Sequence, residues 1–287
     1  MTARAAQQQP RTGDQTGTGF GEPGTTVPGW SRVWNHLAGG KDAYQADREF
    51  AADLERQIPG VARIAQTRLR ARRQIVERLA GSARIEQFLV IGVEPPLTMP
   101  LRDEVHTIAR RINPAARTVY VTGDPVASVH VQALMCIDRS CGCIEAPFGD
   151  PVAALSGASK LLDLSRPVGV VMTGALELLD DRDAEAWLHL VSTLPPAGSR
   201  LGISHLTGTR DLAVTLAEIC GVHQAPPPHL REPSDVDALL RKEPREELRA
   251  FTEPFHAVGP VAAAGDGVGG LAVWCGTARI GGGSHDR

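Results

Sequence analysis

The sequence lacks any apolar run that approaches the roughly 20 residues a membrane-spanning helix needs. The N-terminal stretch MTARAAQQQPRTGDQTGTGFGEPGTT also lacks the apolar core of a secretion signal. An excess of basic residues is missing too, because the formal net charge at pH 7 is −3. Nucleic acids and anionic membranes bind through basic surfaces, so both are poor candidates for a partner. These absences predict a cytoplasmic protein.

Cysteine is scarce, with five residues in the chain. An odd number in a reducing compartment argues against a disulfide framework. Cys136, Cys141 and Cys143 lie together in CIDRSCGC, but a structural zinc site needs a fourth ligand, and no CxxC-like pair follows. The spacing therefore favours ordinary half-buried thiols and predicts no metal site. His223 and His229 flank QAPPP and are interpreted as loop residues rather than ligands.

Between two polar ends, the sequence contains one long stretch of regular patterns. Residues 1–29 are rich in Gln, Thr, Gly and Pro, which predicts a disordered tail. Residues 30–279 are expected to form a single domain, followed by a flexible tail over 280–287. Residues 30–80 are expected to be helical, with the part up to residue 48 acting as a lid.

Helical spacing dominates the start of that domain. Apolar residues recur from Trp30, and the pair Gly39 and Gly40 separates two short helices. The segment VARIAQTRLRARRQIVERLA then predicts a long amphipathic helix over 61–80. Its apolar side comprises Val61, Ile64, Ala65, Leu69, Ile75 and Leu79.

Beyond residue 86, short apolar strands alternate with amphipathic helices. Strands are predicted at QFLVIGV, TVYVTG, GCIEA, PVGVVMTGAL and SRLGISHL, with a late pair at FHAVGPV and GLAVWCGTARI. Intervening helices are predicted over 101–112, 125–135, 183–194 and 210–220. Two more are predicted to begin after the cap residue Asp150 and at Ser234. In the helix over 101–112, Val105, Ile108 and Ile112 are expected to face inward. The alternation predicts an α/β fold with a mostly parallel seven-strand sheet, helices on both faces and an antiparallel edge.

Four strings carry a resemblance to a known family. They are WNHLAGGKDAYQADRE at 34–49, INPAARTVYV with the DP that follows at 112–125, LLDLSRPVGVV at 161–171 and LGISHLTGTRD at 201–211. In these strings the chain resembles the actinobacterial S-adenosyl-methionine (SAM) methyltransferase family. The resemblance implies a Rossmann-like class I methyltransferase fold, with SAM over the C-terminal ends of the first strands.

The resemblance also exposes departures at the cofactor positions. The family carries an acid and a Gly-x-Gly-like turn at the first strand, where this chain has Val90 and Glu94 around Gly92. It carries an acid after VYV to hold the ribose hydroxyls, where this chain has Thr122. At the adenine-reading position after the third strand stands Pro147. A family aromatic in the Arg-rich helix is replaced by Arg70, while Arg68 is kept.

The resemblance implies a set of cofactor-binding candidates, namely Lys41, Asp42, Arg68, Gly92, Glu94, Thr122, Asp124, Phe148 and Thr173. His205, at the end of the fifth strand, is the candidate catalytic base.

Several of these candidates have a second interpretation. Glu94 is equally consistent with a solvated loop charge, and Asp124 with the cap of the helix that follows it. His205 is equally consistent with a structural histidine. Glu177, which falls where the family tends to have His, could instead cap the next helix.

Three functions therefore remain open. The first is a methyltransferase-family protein whose altered site binds SAM weakly or not at all and now serves a small molecule or a partner. The second is a working SAM-dependent methyltransferase, because methyl transfer needs mainly alignment of the reactants. The third is an enzyme of natural-product biosynthesis with a different reaction, and fold alone does not choose among them.

Overall fold

The computed structural model describes residues 26–92, 104–241, 249–250 and 270–280. Three helices precede the first strand: α1 (Trp30–Leu37), α2 (Gln45–Gln57) and α3 (Val61–Gly81). The predicted break between α1 and α2 is confirmed, since Gly39 has a φ of +95°, in the left-handed region that glycine tolerates. The long amphipathic helix is confirmed as α3.

The remaining elements alternate as the sequence predicts. In chain order they are β1 (Gln87–Ile91), α4 (Val105–Ile112), β2 (Arg117–Thr122), α5 (Pro125–Leu134), β3 (Cys141–Glu145), α6 (Pro151–Ala158), β4 (Gly169–Thr173), a 3-10 turn (Leu176–Leu178), α7 (Asp181–Thr193), β5 (Ser199–Thr207), α8 (Arg210–His223), α9 (Pro233–Arg241), β6 (Arg249–Ala250) and β7 (Ala272–Ile280). In the part of the chain that the structure describes, no helix has the length and apolar character needed to cross a membrane.

These strands form one mixed, mostly parallel sheet in the order β3-β2-β1-β4-β5-β7-β6. Strands β1 to β5 pair in parallel, and β7 runs antiparallel to β5 from Thr207 to Ser199. The predicted strand FHAVGPV lies outside the described residues, and β6 consists of two residues that pair with β7. The seventh full strand therefore stays a prediction.

The sheet is covered by helices on both faces. Alternate residues of β1 point to opposite sides: Leu89 and Ile91 share a cluster with Trp187 of α7, and Phe88 shares another with Ile75 of α3. The N-terminal helices form a third cluster against α8, in which Trp34 and other apolar residues are buried. The C-terminal ends of the parallel strands therefore lie at one edge, next to these helices.

Two details of the sequence-based description were wrong. Ile112 was expected to face inward but is 40% exposed, because α4 ends there and the chain turns away through Asn113 in an extended conformation. His223 was interpreted as a loop residue but is the last residue of α8, with its Nε2 atom 2.6 Å from a carboxylate oxygen of Asp53 on α2. His229 does lie in a loop.

Candidate functional site

The parallel strands β1, β2 and β4 end side by side, and the candidates Gly92, Thr122, Asp124 and Thr173 lie at or just after those ends. Gly92 follows β1 with a φ of +80°, and a Cβ atom at this position would lie 2.8 Å from the Cβ of Ala175 after β4. This close approach requires glycine. Glu94, two residues after Gly92 in the loop that was predicted to hold the cofactor, lies outside the described residues.

Thr122 occupies the end of β2, where the resemblance implies a ribose-binding acid. The residue is 1% exposed, and its hydroxyl accepts a hydrogen bond from the backbone N–H of Asp124 at 3.1 Å. Threonine therefore supplies a short neutral group that is already used to shape the turn.

Asp124 has both carboxylate oxygens engaged within the protein. Its Oδ1 atom accepts from the backbone N–H groups of Val126 and Ala127 at 2.9 and 3.4 Å, which makes it the N-cap of α5. Its Oδ2 atom accepts from the hydroxyl of Ser31 and lies 3.4 Å from Nη1 of Arg32, both on α1. The residue thus caps one helix and docks another.

Asp47 anchors the segment that carries the family's GGKD and ADRE strings. Its side chain is 0% exposed, and its Oδ2 atom lies 2.8 Å from Nε of Arg32 and from the backbone N–H of Tyr44. Its Oδ1 atom accepts from the backbone N–H of Gly29 at 2.8 Å. Arg32 therefore joins two carboxylates and fixes α1 between α2 and the start of α5.

The other residues of that segment are less enclosed. Lys41 is exposed. Asp42 is partly exposed, with its Oδ2 atom 4.0 Å from the His130 ring on α5 and its backbone N–H donating to Asn35 at 3.3 Å. The segment from α1 to α2 thus contacts the strand-end region at α5.

A buried ion pair lies beyond the end of β4. Nη1 of Arg68, on α3, is 2.7 Å from Oε1 of Glu177 in the 3-10 turn, and the two side chains are 8% and 2% exposed. The Arg68 guanidinium also lies over the ring of Trp34, 4.3 Å from its centroid. A Cβ at Gly174 would come within 2.0 Å of Arg68, so glycine makes room for the guanidinium.

The second carboxylate oxygen of Glu177 is a polar atom without a hydrogen-bond partner among the described residues. Such buried polar atoms are uncommon in folded proteins. Asp180, not Glu177, caps α7, since its Oδ1 atom accepts from the backbone N–H of Asp183 at 2.8 Å.

His205 is enclosed and fully hydrogen-bonded. Its Nδ1 atom lies 2.7 Å from the carbonyl oxygen of Leu206, which can only accept, so Nδ1 carries the proton. Its Nε2 atom then accepts from Nη1 of Arg231 at 2.8 Å. Burial lowers the pKa of His205 to about 4. A general base needs a free lone pair, so catalysis by His205 stays a prediction that requires Arg231 to move.

Phe148 and Thr173 complete the candidate set. Phe148 is 5% exposed in the core of one sheet face, and its carbonyl oxygen accepts from the indole N–H of Trp187 at 2.6 Å. Thr173 is the last residue of β4 and is 8% exposed. The structure places Thr122, Asp124, Gly92 and Thr173 at one edge of the sheet, and Arg68 reaches this edge from α3.

Ser31, Arg32 and Arg231 were not singled out from the sequence. Ser31 and Arg32 meet Asp124 from more than 90 positions away in the chain. Arg231 is 7% exposed and donates to two carbonyl groups and to Asp181 as well as to His205. A lone arginine before Glu and Pro gives no sequence signal for such a role.

Comparisons with known proteins identify the relatives of this fold. A putative methyltransferase from Thermobifida fusca shares 27% identity, with a TM-score of 0.77 over 90% of this chain and 96% of that chain. A DUF574 family protein from Streptomyces avermitilis shares 27% identity, with a TM-score of 0.73 over 90% of this chain and 100% of that chain. No curated protein matches.

A family model described as S-adenosyl methyltransferase matches residues 22–243. The chain belongs to the S-adenosyl methyltransferase family. The match spans α1 to α9 and includes every candidate site residue named above. The fold expectation drawn from the resemblance is confirmed at this level, as a mostly parallel methyltransferase sheet.

At the described end of β2, this member of the S-adenosyl methyltransferase family has residues that differ from the cofactor pattern that the resemblance implies. A ribose with two free hydroxyl groups is held by a carboxylate at the end of the second strand. Thr122 has no carboxylate, and both oxygens of Asp124 are occupied by protein donors. A ribose at the Asp124 carboxylate would share its Oδ2 atom with Ser31 and Arg32.

Proposed function

We propose that this S-adenosyl methyltransferase family member has an altered cofactor site with little or no affinity for SAM, and that the cleft at its strand ends binds another small molecule. One observation carries the proposal: the carboxylate of Asp124 is used inside the protein, by the α5 cap and by α1. With Thr122 at the acid position that the resemblance implies, the described end of β2 has no carboxylate that is free of contacts with the protein.

The size of the expected effect follows from hydrogen-bond energies. A hydrogen bond to a charged group contributes roughly 1.5–3 kcal/mol. Losing both ribose hydroxyl contacts would therefore cost about 3–6 kcal/mol. At about 1.4 kcal/mol per tenfold change, the affinity for SAM would weaken by about two to four orders of magnitude, from micromolar to about 0.1–10 mM.

A second observation, beyond the end of β4, bears on the chemistry of the proposed ligand. Glu177 presents a buried carboxylate oxygen without a partner among the described residues, held in place by Arg68. An N–H or O–H donor of a ligand would satisfy that oxygen, whereas an apolar ligand would not. This supports a polar small molecule as the natural ligand.

Restoring the family's residues provides the test of the altered cofactor site. The double variant Glu94→Gly with Thr122→Asp returns the glycine and the ribose acid but leaves Val90, which is 1% exposed in the core. We expect SAM binding by calorimetry in this variant and none in the wild-type protein. Thr122→Asn with Glu94→Gly is the matched control, because Asn has the size of Asp without its charge.

A folded double variant, verified by circular dichroism, that binds SAM no better than the wild-type protein would contradict the proposal. The triple variant that adds Val90→Asp extends the same comparison to the acid of the first strand. Binding by the Asn control that equals binding by the Asp variant would assign the gain to the glycine alone.

The second candidate is a working SAM-dependent methyltransferase. Two observations favour it: the family model spans residues 22–243, and Gly92 keeps a left-handed conformation at the end of β1. Methyl transfer gains most of its rate from alignment, so an incomplete set of polar contacts is compatible with activity. Transfer of a radioactive methyl group from SAM to any acceptor in a small-molecule extract would favour this candidate over the first.

A further inference from the structure

Two thiols outside the candidate site lie in direct contact. Cys136 follows α5, Cys141 begins β3, and their Sγ atoms are 3.0 Å apart. Both are free and half-buried. A disulfide bond is about 2.05 Å long, so closing this gap needs a movement of about 1 Å.

The backbone holds both sulfur atoms in this position. The N–H of Cys136 donates to the carbonyl of Val131 on α5 at 3.0 Å. On the other side of the loop, the carbonyl of Ser140 accepts from the N–H of Thr118 on β2 at 2.8 Å. The loop between the two thiols is therefore fixed at both ends, and the contact is a property of the fold.

The two thiols differ in acidity. The hydrogen bond from the Cys141 thiol lowers the pKa of Cys136. The same hydrogen bond, together with burial, raises the pKa of Cys141. The thiolate, which is the nucleophilic form, therefore develops at Cys136, with Cys141 as a neighbouring thiol able to resolve an oxidised sulfur.

We propose that Cys136 and Cys141 form an oxidation site that closes to a disulfide when a peroxide reaches it. The Cys136 thiolate attacks one peroxide oxygen, the O–O bond breaks, and the leaving hydroxide takes up a proton to become water. The Cys141 sulfur then attacks the Cys136 sulfenic acid, the S–O bond breaks, and a second water leaves with the Cys141 proton. Two thiols lose two electrons, and the peroxide is reduced to two waters.

Cys143 provides a control within the same strand. It lies two residues beyond Cys141, so both side chains are on one face of β3, and it is also half-buried. Its Sγ atom lies 4.0 Å from the Ser128 hydroxyl oxygen, and burial raises its pKa to about 11. We expect it to remain reduced where the other two react.

The test treats the reduced full-length protein with hydrogen peroxide, alkylates the remaining thiols and digests with trypsin. Cleavage after Arg139 places Cys136 in the peptide 118–139, and the two other thiols in the peptide 140–160. Mass spectrometry should show these two peptides as one linked species that reductant separates. The link should form in wild type and in Cys143→Ser, and be absent from Cys136→Ser and Cys141→Ser.

Two results would overturn the proposal. One is that the two peptides stay separate in peroxide-treated wild type and in Cys143→Ser, with their thiols alkylated or oxidised to sulfinic acid. The other is that the link persists in Cys141→Ser, which would make Cys143 the partner. Since the first result needs only the wild-type protein, misfolding of a variant would not leave the proposal undecided.

Discussion

At the scale of single residues, several polar groups of the candidate site are already occupied by contacts within the protein. Thr122, Asp124 and His205 each use their polar atoms in contacts with the protein itself. A group that already holds a helix or a neighbouring side chain must break that contact before it can serve a ligand or a reaction. We therefore propose that these three residues support the strand-end region.

The buried, neutral state of His205 predicts how the free energy of unfolding depends on pH. Its pKa is about 4 in the folded state and about 6.5 in an unfolded chain, so between these values the unfolded state binds more protons. Stability should therefore fall as the pH is lowered below about 6.5. From pH 7 to pH 5, wild type should lose up to about 2 kcal/mol more than His205→Gln, measured by urea denaturation.

Other titrating groups are common to both proteins, so the difference between the two pH profiles isolates His205. Glutamine keeps an acceptor for Arg231 without titrating. If the free energy of unfolding of wild type and of His205→Gln changed with pH in the same way, a buried neutral His205 would be ruled out.

The buried ion pair of Arg68 and Glu177 is expected to contribute to the stability of the fold. Removing one charge of a buried pair leaves the other uncompensated, which costs about 3–5 kcal/mol. Glu177→Gln should therefore lower the free energy of unfolding by about 3 kcal/mol or more. The matched control is Glu77→Gln, whose pair with Arg111 is about half exposed and should contribute less than about 1 kcal/mol. If Glu177→Gln and Glu77→Gln lowered the free energy of unfolding equally, the stabilising role of the buried Arg68–Glu177 pair would be contradicted.

At the scale of elements, the guanidinium group of one arginine on α1 pairs with two carboxylates from other elements. Arg32 contacts Asp47 at 2.8 Å and Asp124 at 3.4 Å, so it joins α1 to α2 and to the start of α5. The same helix brings Trp34 over Arg68. We therefore propose that residues 30–48 act as a lid whose closed position is fixed by Arg32.

Removing that side chain should loosen the lid. In Arg32→Ala, amide hydrogen exchange in α1 should become faster, because local opening no longer has to break two ion pairs. Exchange in β1 and β4 should not change. Arg63→Ala, an exposed arginine on α3, is the control and should leave α1 unaffected. Unchanged exchange in α1 of Arg32→Ala would count against the lid.

Local patterns were sufficient to predict most elements but not the contacts between them. Apolar runs of five or six residues located β1, β2 and β4, and Asp150 followed by Pro151 located the start of α6. The sequence left two roles open for Asp124, because capping depends on local order whereas docking of α1 depends on residues more than 90 positions away. The Arg68 pair spans 109 positions, which no local pattern encodes.

At the scale of the whole molecule, the proposal places an altered cofactor site on a methyltransferase sheet. The family model and the two similar structures establish the sheet and its helices. The strand ends still converge, since parallel strands expose their C-terminal ends at one edge. We propose that the chemistry at that edge differs from the family pattern that the resemblance implies, with Thr122 in place of the ribose acid and Asp124 engaged by α1 and α5.

Calorimetric titration of the wild-type protein with SAM and with S-adenosyl-homocysteine tests this central claim most directly. With the Asp124 carboxylate engaged inside the protein, we predict no binding heat at about 100 μM of either ligand. Low micromolar binding that Asp124→Ala abolishes would contradict the account, because it would show that Asp124 leaves α1 to hold the ribose. The protein would then be a working S-adenosyl methyltransferase with a rearranged site.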